Sequence, residues 1–246
     1  MNELEAFRAA ARKKGMPDGT IERWLRLARP CLSLNRDGGG PVAGYFGGRP
    51  ALPSSAAWPE RHVHLASIEL AALPREGVDL DLPRDGTLVF LAVPGPVTMV
   101  GRVIHVPAGA AVAEAEPSDG GYERFPLYAA ADWSLPEEPS DSLAYEQAPA
   151  AEEDAYSEIV WDLGYEDRSG ERVVLLGGYG TSNTGGLGIP VGPPETDVLL
   201  AQFYLGPDEV GDDFETDLAT LYFMITRADL AARRFENVSL ASDFHG

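Results

Sequence analysis

Short apolar segments, each bounded by Gly, Pro or Asp, fill much of the chain after residue 40. They are rich in β-branched and aromatic residues, the types that fit a pleated, half-buried surface. We predict a strand in each of them, together with a last strand near residues 238–241. The segments are 63–68, 86–93, 99–106, 171–176, 197–205 and 220–225. The 27 Gly and 20 Pro residues supply the turns that such short strands need.

Helical periodicity is confined to a few places. Residues 3–14 and 19–29 have the apolar spacing of amphipathic helices, and we expect Asp18 to cap the second helix and Pro30 to end it. A capping-box pattern at Thr226 predicts one more short helix near the C-terminus. The predicted fold class is therefore α+β: a β-rich, mostly antiparallel sheet with an N-terminal helical pair and one short C-terminal helix.

We expect one domain over residues 1–246, because β-rich domains commonly reach about 250 residues. The helical pair occupies residues 1–30 and the β-rich body residues 31–246. Within the body, residues 114–158 are dominated by Glu, Asp, Pro, Ser and Ala. This composition predicts a poorly ordered acidic insertion that buries little apolar surface, while Trp133, Tyr145 and Tyr156 indicate that parts of it dock against the body.

Charge is both large and unevenly distributed. The formal net charge is −20, from 19 basic and 39 acidic residues. Residues 1–40 hold eight basic and five acidic residues, a net charge of +3, which leaves −23 for the remainder. Because nucleic acid and anionic lipid are bound through Lys and Arg, we expect neither of these as a partner. A basic protein is compatible with this charge.

The single cysteine, Cys31, cannot form an internal disulfide. The N-terminal segment lacks the order of a secretory signal, and no run approaches the roughly 18 apolar residues that cross a bilayer. We therefore expect a cytoplasmic protein.

His62 and His64 alternate along a predicted strand and Glu69 follows, so these side chains could hold a metal ion on one strand face. The spacing is similar to the first cupin motif, but Ala56 and Glu76 stand where that motif has glycine. The interpretation we favour is a polar strand face without a metal or any other cofactor. A metal-dependent enzyme remains an alternative.

Acidic side chains cluster between the last two long predicted strands, at Asp212, Asp213, Glu215 and Asp217. Loops at sheet ends are common binding sites, so we expect a basic partner to bind here. The pattern does not have the glycine and terminal carboxylate that an EF-hand calcium loop requires.

Two further hypotheses concern small ligands. Trp58, Tyr179 and Tyr222 could line a pocket between the sheet and its loops. The Gly-rich segment 177–188 contains no Lys, and its Ser182 stands in G-T-S-N-T-G rather than G-x-S-x-G. It therefore predicts a turn rather than a phosphate loop or a nucleophile elbow.

Five segments occur in the same order as in a known family. They are Gly47-Gly48-x-Pro50-x-Leu52-Pro53 with Trp58-Pro59; Leu65 to Pro74; Leu82-Pro-x-x-Gly86-x-Leu88-x-Phe90; Val198 to Gln202; and Asp217-x-x-x-Leu221-Tyr-Phe-x-Ile225 with Asp229 to Phe235. In these segments the chain resembles the YwqG-like family, a bacterial domain family of unknown function. The resemblance implies an α+β domain with an extensive antiparallel sheet and no established activity.

The chain departs from the commoner family pattern at three polar positions. Ser67 stands where Gln is frequent, Leu218 stands where Gly often follows Asp217, and the segment after Leu176 lacks the usual Asp-Pro and Gln. Since no catalytic motif is complete, we expect a non-enzymatic binding or interaction protein. One form of this hypothesis is an immunity-type protein that blocks a basic toxin.

Overall fold

The structure is a computed structural model that describes most of the chain. The described residues are 3–54, 56, 58–95, 100–115, 121–168, 172–181, 196–214 and 218–245. They form five α-helices and twelve β-strands. The helices are α1 (Glu3–Lys13), α2 (Asp18–Leu25), α3 (Ala150–Arg168), α4 (Pro207–Val210) and α5 (Arg227–Ala231). The strands are β1 (Arg29–Asn35), β2 (Val42–Phe46), β3 (Ala51–Pro53), β4 (Val63–Glu69), β5 (Thr87–Ala92), β6 (Gly101–Val106), β7 (Val112–Glu114), β8 (Phe125–Ser134), β9 (Arg172–Gly177), β10 (Asp197–Leu205), β11 (Leu218–Thr226) and β12 (Ser239–His245).

Ten strands form one sheet in the order β12-β11-β10-β9-β1-β8-β2-β4-β5-β6, and β3 pairs with β7 in a separate ribbon. Every pairing between neighbouring strands is antiparallel. The predicted α+β class, with its antiparallel sheet, N-terminal helical pair and short C-terminal helix, is confirmed. None of the helices that the structure describes is long and apolar enough to cross a membrane.

The large sheet folds over on itself. Phe90 on β5 packs against Phe203 on β10 and Phe223 on β11, with ring centroids 5.3 and 5.2 Å apart. The edge strands β6 and β12 also approach each other, since a Cβ added at Gly101 would lie 2.9 Å from Leu240 Cδ2. The main core is therefore enclosed between the two halves of one sheet.

The acidic segment 114–158 differs from the prediction of a poorly ordered insertion. From residue 125 to 134 it forms β8, which pairs with both β1 and β2 in the middle of the sheet. It then begins α3, whose Tyr156 is fully buried. The docking indicated by Tyr145 and Tyr156 is present, since both side chains pack in a core. The expectation of poor order and little buried apolar surface does not hold for β8 and α3, because apolar residues at strand and helical spacing are interspersed among the acidic ones.

The helical pair packs mainly on α3. Phe7 of α1 and Trp24 of α2 contact the ring of Tyr156, with centroids 5.5 and 4.9 Å apart. The Tyr156 hydroxyl donates to Pro136 O at 2.8 Å. Together with Ala11, Ile21, Leu25, Leu27, Leu135, Ile159 and Val160 these side chains form a second core outside the sheet.

The second helix begins and ends differently from the prediction. Asp18 is its first residue and Pro17 its cap, and the helix ends at Leu25, before Pro30. Pro30 instead lies within β1, where it pairs with Trp133 of β8 but lies outside the register with β9. The chain leaves the helix early because Arg29–Asn35 pairs with strands on both sides.

Tyr156 should control the attachment of the helical layer. We expect Tyr156→Ala to lower the free energy of unfolding by about 3–5 kcal/mol, since it empties an aromatic site between three helices. Tyr156→Phe should cost about 1 kcal/mol, because only the hydrogen bond to Pro136 O is lost. Urea denaturation measures both values. Trp133→Phe, at a side chain that is 39% exposed, should change the value by less than about 0.5 kcal/mol. Equal effects of the Ala and control variants would contradict the packing.

Candidate functional site

The predicted acidic loop follows α4. Asp212 and Asp213 are exposed there, whereas Glu215 and Asp217 lie outside the described residues. Asp213 accepts a hydrogen bond of 2.9 Å from the Tyr122 hydroxyl. Burial raises the pKa of Tyr122, and the hydrogen bond to Asp213 raises it further, so the hydroxyl stays protonated and donating.

Two further contacts hold this loop in place. Phe214 is buried in the main core. Glu209 accepts a hydrogen bond from Gly206 N at 3.0 Å and lies 3.6 Å from Arg36. Asp208 and Asp212 have no hydrogen-bond or ion-pair partner among the described residues, and both are exposed. Among the described residues, α4 and the loop after it therefore present two unpaired carboxylates, Asp208 on the helix and Asp212 on the anchored turn.

The three aromatic residues predicted to line one pocket are at different places. Trp58 packs beside Leu52, against the face of the sheet that points away from the main core, and its Nε1 donates to His62 O at 3.1 Å. Tyr222 is buried beneath Thr181, to whose carbonyl its hydroxyl donates at 2.8 Å. Tyr179 lines a pocket of about 200 Å³, whose lining does not include Trp58 or Tyr222.

This pocket contains three arginines from two separate parts of the sequence. Arg26 follows α2, Arg29 begins β1 and Arg227 begins α5. Tyr179 and Ser142 complete its polar lining. Sequence reasoning did not find these arginines, because nothing in their local sequence indicates that residues about 200 positions apart meet. The only signal was Tyr179, as an aromatic residue in a predicted turn.

A buried amide fixes the start of the Gly-rich segment. Gln202 on β10 is fully buried, and its amide accepts from Thr181 N at 3.0 Å and donates to Thr181 O at 2.9 Å. Tyr204 hydrogen-bonds to the Thr181 hydroxyl at 2.8 Å. The predicted turn is held on the sheet as far as residue 181, and residues 182–188 lie outside the described part.

His64 forms a buried polar pair with Ser67. Its Nδ1 lies 3.1 Å from Gly48 O and its Nε2 lies 2.9 Å from Ser67 Oγ. Burial lowers the pKa of His64 to about 4, so the ring is neutral near pH 7. A carbonyl only accepts, so Nδ1 carries the proton and Nε2 accepts from the Ser67 hydroxyl. A base with so low a pKa is weak, which favours a structural role over nucleophile activation.

The side chains of the metal hypothesis have separate partners. His62 Nδ1 lies 2.9 Å from Glu60 O, His64 is enclosed as above, and Glu69 accepts from the Thr87 hydroxyl at 2.9 Å. Within the part of the chain that the structure describes, no three His, Cys, Asp or Glu side chains are grouped to hold a metal ion.

Gln202 should hold the segment around Thr181. Gln202→Leu keeps the side chain's size but leaves two backbone groups of Thr181 without the amide, so we expect the free energy of unfolding to fall by about 1–3 kcal/mol. Amide exchange at Thr181 should become faster in this variant. Gln147→Leu, at an exposed position, is the control and should change neither quantity. Unchanged exchange at Thr181 would contradict the anchoring.

His64 should make the protein less stable in acid. Its pKa of about 4 in the folded protein lies below the usual 6.5, so the unfolded chain binds the extra proton more readily. Its contribution is complete above pH 6.5 and is lost as the pH falls towards 4, by about 3 kcal/mol in all. The unfolding free energies of the wild type and of His64→Gln are measured from pH 7 to pH 4. Their difference gives the contribution of His64 to the pH dependence of stability. His62→Gln is the control and should retain the wild-type pH slope; a His64→Gln slope equal to wild type would contradict the burial.

Comparison with known proteins gives a family without an assigned activity. A search of curated proteins finds no match. The family model described as a domain of unknown function (DUF1963) matches residues 45–243, which include most of the large sheet, α3, the acidic loop and part of the arginine pocket. This match confirms that the chain belongs to a family of unknown function, as expected, while the YwqG-like name stays a prediction. The chain belongs to the DUF1963 family.

Proposed function

We propose that this protein is a non-enzymatic binding protein whose acidic surface associates with a basic protein partner. The net charge of −20 supports a partner of opposite sign. It also supports fast, electrostatically steered association, as in immunity-type proteins that block a basic toxin. In such a protein the acidic side chains of the binding surface have no internal partner, and the basic side chains are neutralised by internal ion pairs.

The observation that carries the proposal is the internal pairing of the basic N-terminal residues. Lys14 lies 2.6 Å from Glu158 of α3, and Arg23 pairs with Glu152 on the same helix. Arg8–Glu22 and Arg12–Asp18, each at 3.0 Å, join α1 to α2. The helical pair is therefore packed and largely neutralised rather than a free basic arm, so the acidic excess elsewhere determines which partner approaches.

Helix α4, which carries Asp208, and the acidic loop after it are the part of the acidic surface best suited to binding. Asp208 and Asp212 have no partner among the described residues, and Asp213 shares only the neutral hydroxyl of Tyr122. Phe214 anchors the backbone beneath them. An anchored loop loses less conformational entropy on binding than a free one, so more of the attraction between these carboxylates and a basic partner contributes to the binding free energy.

The charges of the loop can be tested against equal charges elsewhere. The loop variant is Asp208→Asn, Asp212→Asn and Asp213→Asn. The control variant, Asp85→Asn, Asp154→Asn and Asp162→Asn, removes three exposed carboxylates that have no partner among the described residues. At low salt, immobilised wild-type and control protein should retain the same basic protein from a lysate of the source cells, and the loop variant should retain roughly tenfold less.

Three results would contradict this proposal. Retention of no basic protein at low salt would remove the basic partner. Equal retention by the loop variant would show that the loop is not the binding surface. Equal losses in both variants would show a general effect of net charge rather than a site. Both variants should unfold at the wild-type urea midpoint, because exposed like charges contribute little to stability.

A further inference from the structure

The pocket at Tyr179 is basic although the protein is strongly acidic. Lys and Arg make up 19 of 246 residues, whereas three of the eight residues that line the pocket are Arg. Arg26 and Arg227 form no salt bridge with any described residue. Their guanidinium groups are held beside one cavity without a carboxylate of their own, an arrangement that favours an anionic ligand.

The acidic groups near the pocket offset only part of this charge. Asp79 accepts from Arg29 Nε at 2.8 Å and neutralises that guanidinium. Asp141 directly precedes Ser142 in the lining and interacts electrostatically with Tyr179. Arg26 and Arg227 have no such carboxylate among the described residues, so the lining favours an anionic group.

The wall formed by Arg29 and Tyr179 is fixed before any ligand binds. The Arg29 guanidinium lies over the Tyr179 ring, 5.1 Å from its centroid. Tyr179 N donates to the buried Ser134 hydroxyl at 2.7 Å. Because the backbone and one ring face of Tyr179 are both held, little ordering entropy is lost when a ligand binds against it.

The pocket also has an apolar side. Leu143, which is 66% exposed, and its neighbour Ala144 are both part of the lining. Leu27 and the Tyr179 ring extend this apolar surface. A fully hydrated inorganic ion would leave these groups unused, whereas an apolar substituent would cover them. The volume of about 200 Å³ is below the roughly 300–1,000 Å³ of pockets for drug-sized ligands.

From these features we propose that the pocket formed by Arg26, Arg29, Tyr179, Ser142 and Arg227 binds a small carboxylate with an apolar substituent. The carboxylate lies between the Arg26 and Arg227 guanidinium groups, and the substituent lies against Leu143 and the Tyr179 ring. This site is separate from the acidic loop, and it does not depend on the proposed protein partner.

The test uses benzoate as the carboxylate probe with the full-length protein. Calorimetric titration should give a measurable dissociation constant for benzoate. Benzyl alcohol, which has the same ring without the charge, and inorganic phosphate, which has the charge without the ring, should bind at least tenfold more weakly. In the double variant Arg26→Gln with Arg227→Gln the benzoate dissociation constant should rise at least tenfold. The control variant Arg84→Gln with Arg102→Gln removes two exposed arginines outside the pocket and should bind as wild type does.

Each other result overturns the assignment. Absence of benzoate binding to the wild type removes the site, and equal binding by the pocket variant shows that the arginines do not hold the carboxylate. Tighter binding of phosphate than of benzoate would replace the carboxylate by a phosphate ligand. A loss that is equal in the control variant would indicate a general charge effect. The urea midpoint of both variants verifies that they are folded, since Arg26 and Arg227 are exposed and make no ion pair with described residues.

Discussion

The packing of Phe90 against Phe203 and Phe223 is the interaction on which the rest of the structure depends. The two halves of a ten-stranded sheet meet through these rings, so one sheet encloses a core that would otherwise need a second layer. The outer faces of the two sheet halves can then carry other groups. One face carries the Gln202 network and the arginine pocket, and the other carries the His64–Ser67 pair under the β3–β7 ribbon.

Electrostatic complementarity organises the surface in a similar way. The basic helical pair packs on α3, which is acidic along its exposed side, and buries Tyr156 in the contact. Ion pairs at such partly exposed positions add little stability individually. Their larger consequence is that they neutralise positive charge of the N-terminal residues within the protein itself. The described surface outside this contact includes the acidic loop and the arginine-lined pocket.

Much of the fold could be predicted from strand patterns alone. The strands at 63–69, 87–92, 197–205 and 218–226 follow closely the apolar segments that predicted them. The strand β8 was missed because Ala129, Ala130 and Ala131 weaken its β signal, although neighbours on both sides impose the extended conformation. Helix α3 had a detectable signal, since Tyr156, Ile159, Val160 and Leu163 have helical spacing, but the acidic composition around them concealed it.

The candidate sites were less predictable than the fold. The acidic loop is a local feature of the sequence, so its position at a sheet end followed from the strands around it. The arginine pocket joins residues 26, 29, 142, 179 and 227, whose proximity is a product of the sheet order and of α2 packing on α3. His64 illustrates a related limit. Alternation placed it beside His62, but β4 begins only at Val63, and His64 lies on the strand where it pairs with Ser67. The register shift between His64 and Ala66 accounts for a contact between residues three positions apart.

The central claim is that an unpaired acidic surface recruits a basic partner by long-range attraction. The most direct measurement is the association rate constant of the protein with its captured partner as a function of ionic strength. Charges separated by more than a Debye length are screened, so we expect this rate to fall at least roughly tenfold between about 20 and 200 mM NaCl, with little change in the dissociation rate. An association rate that does not change with salt would contradict the claim.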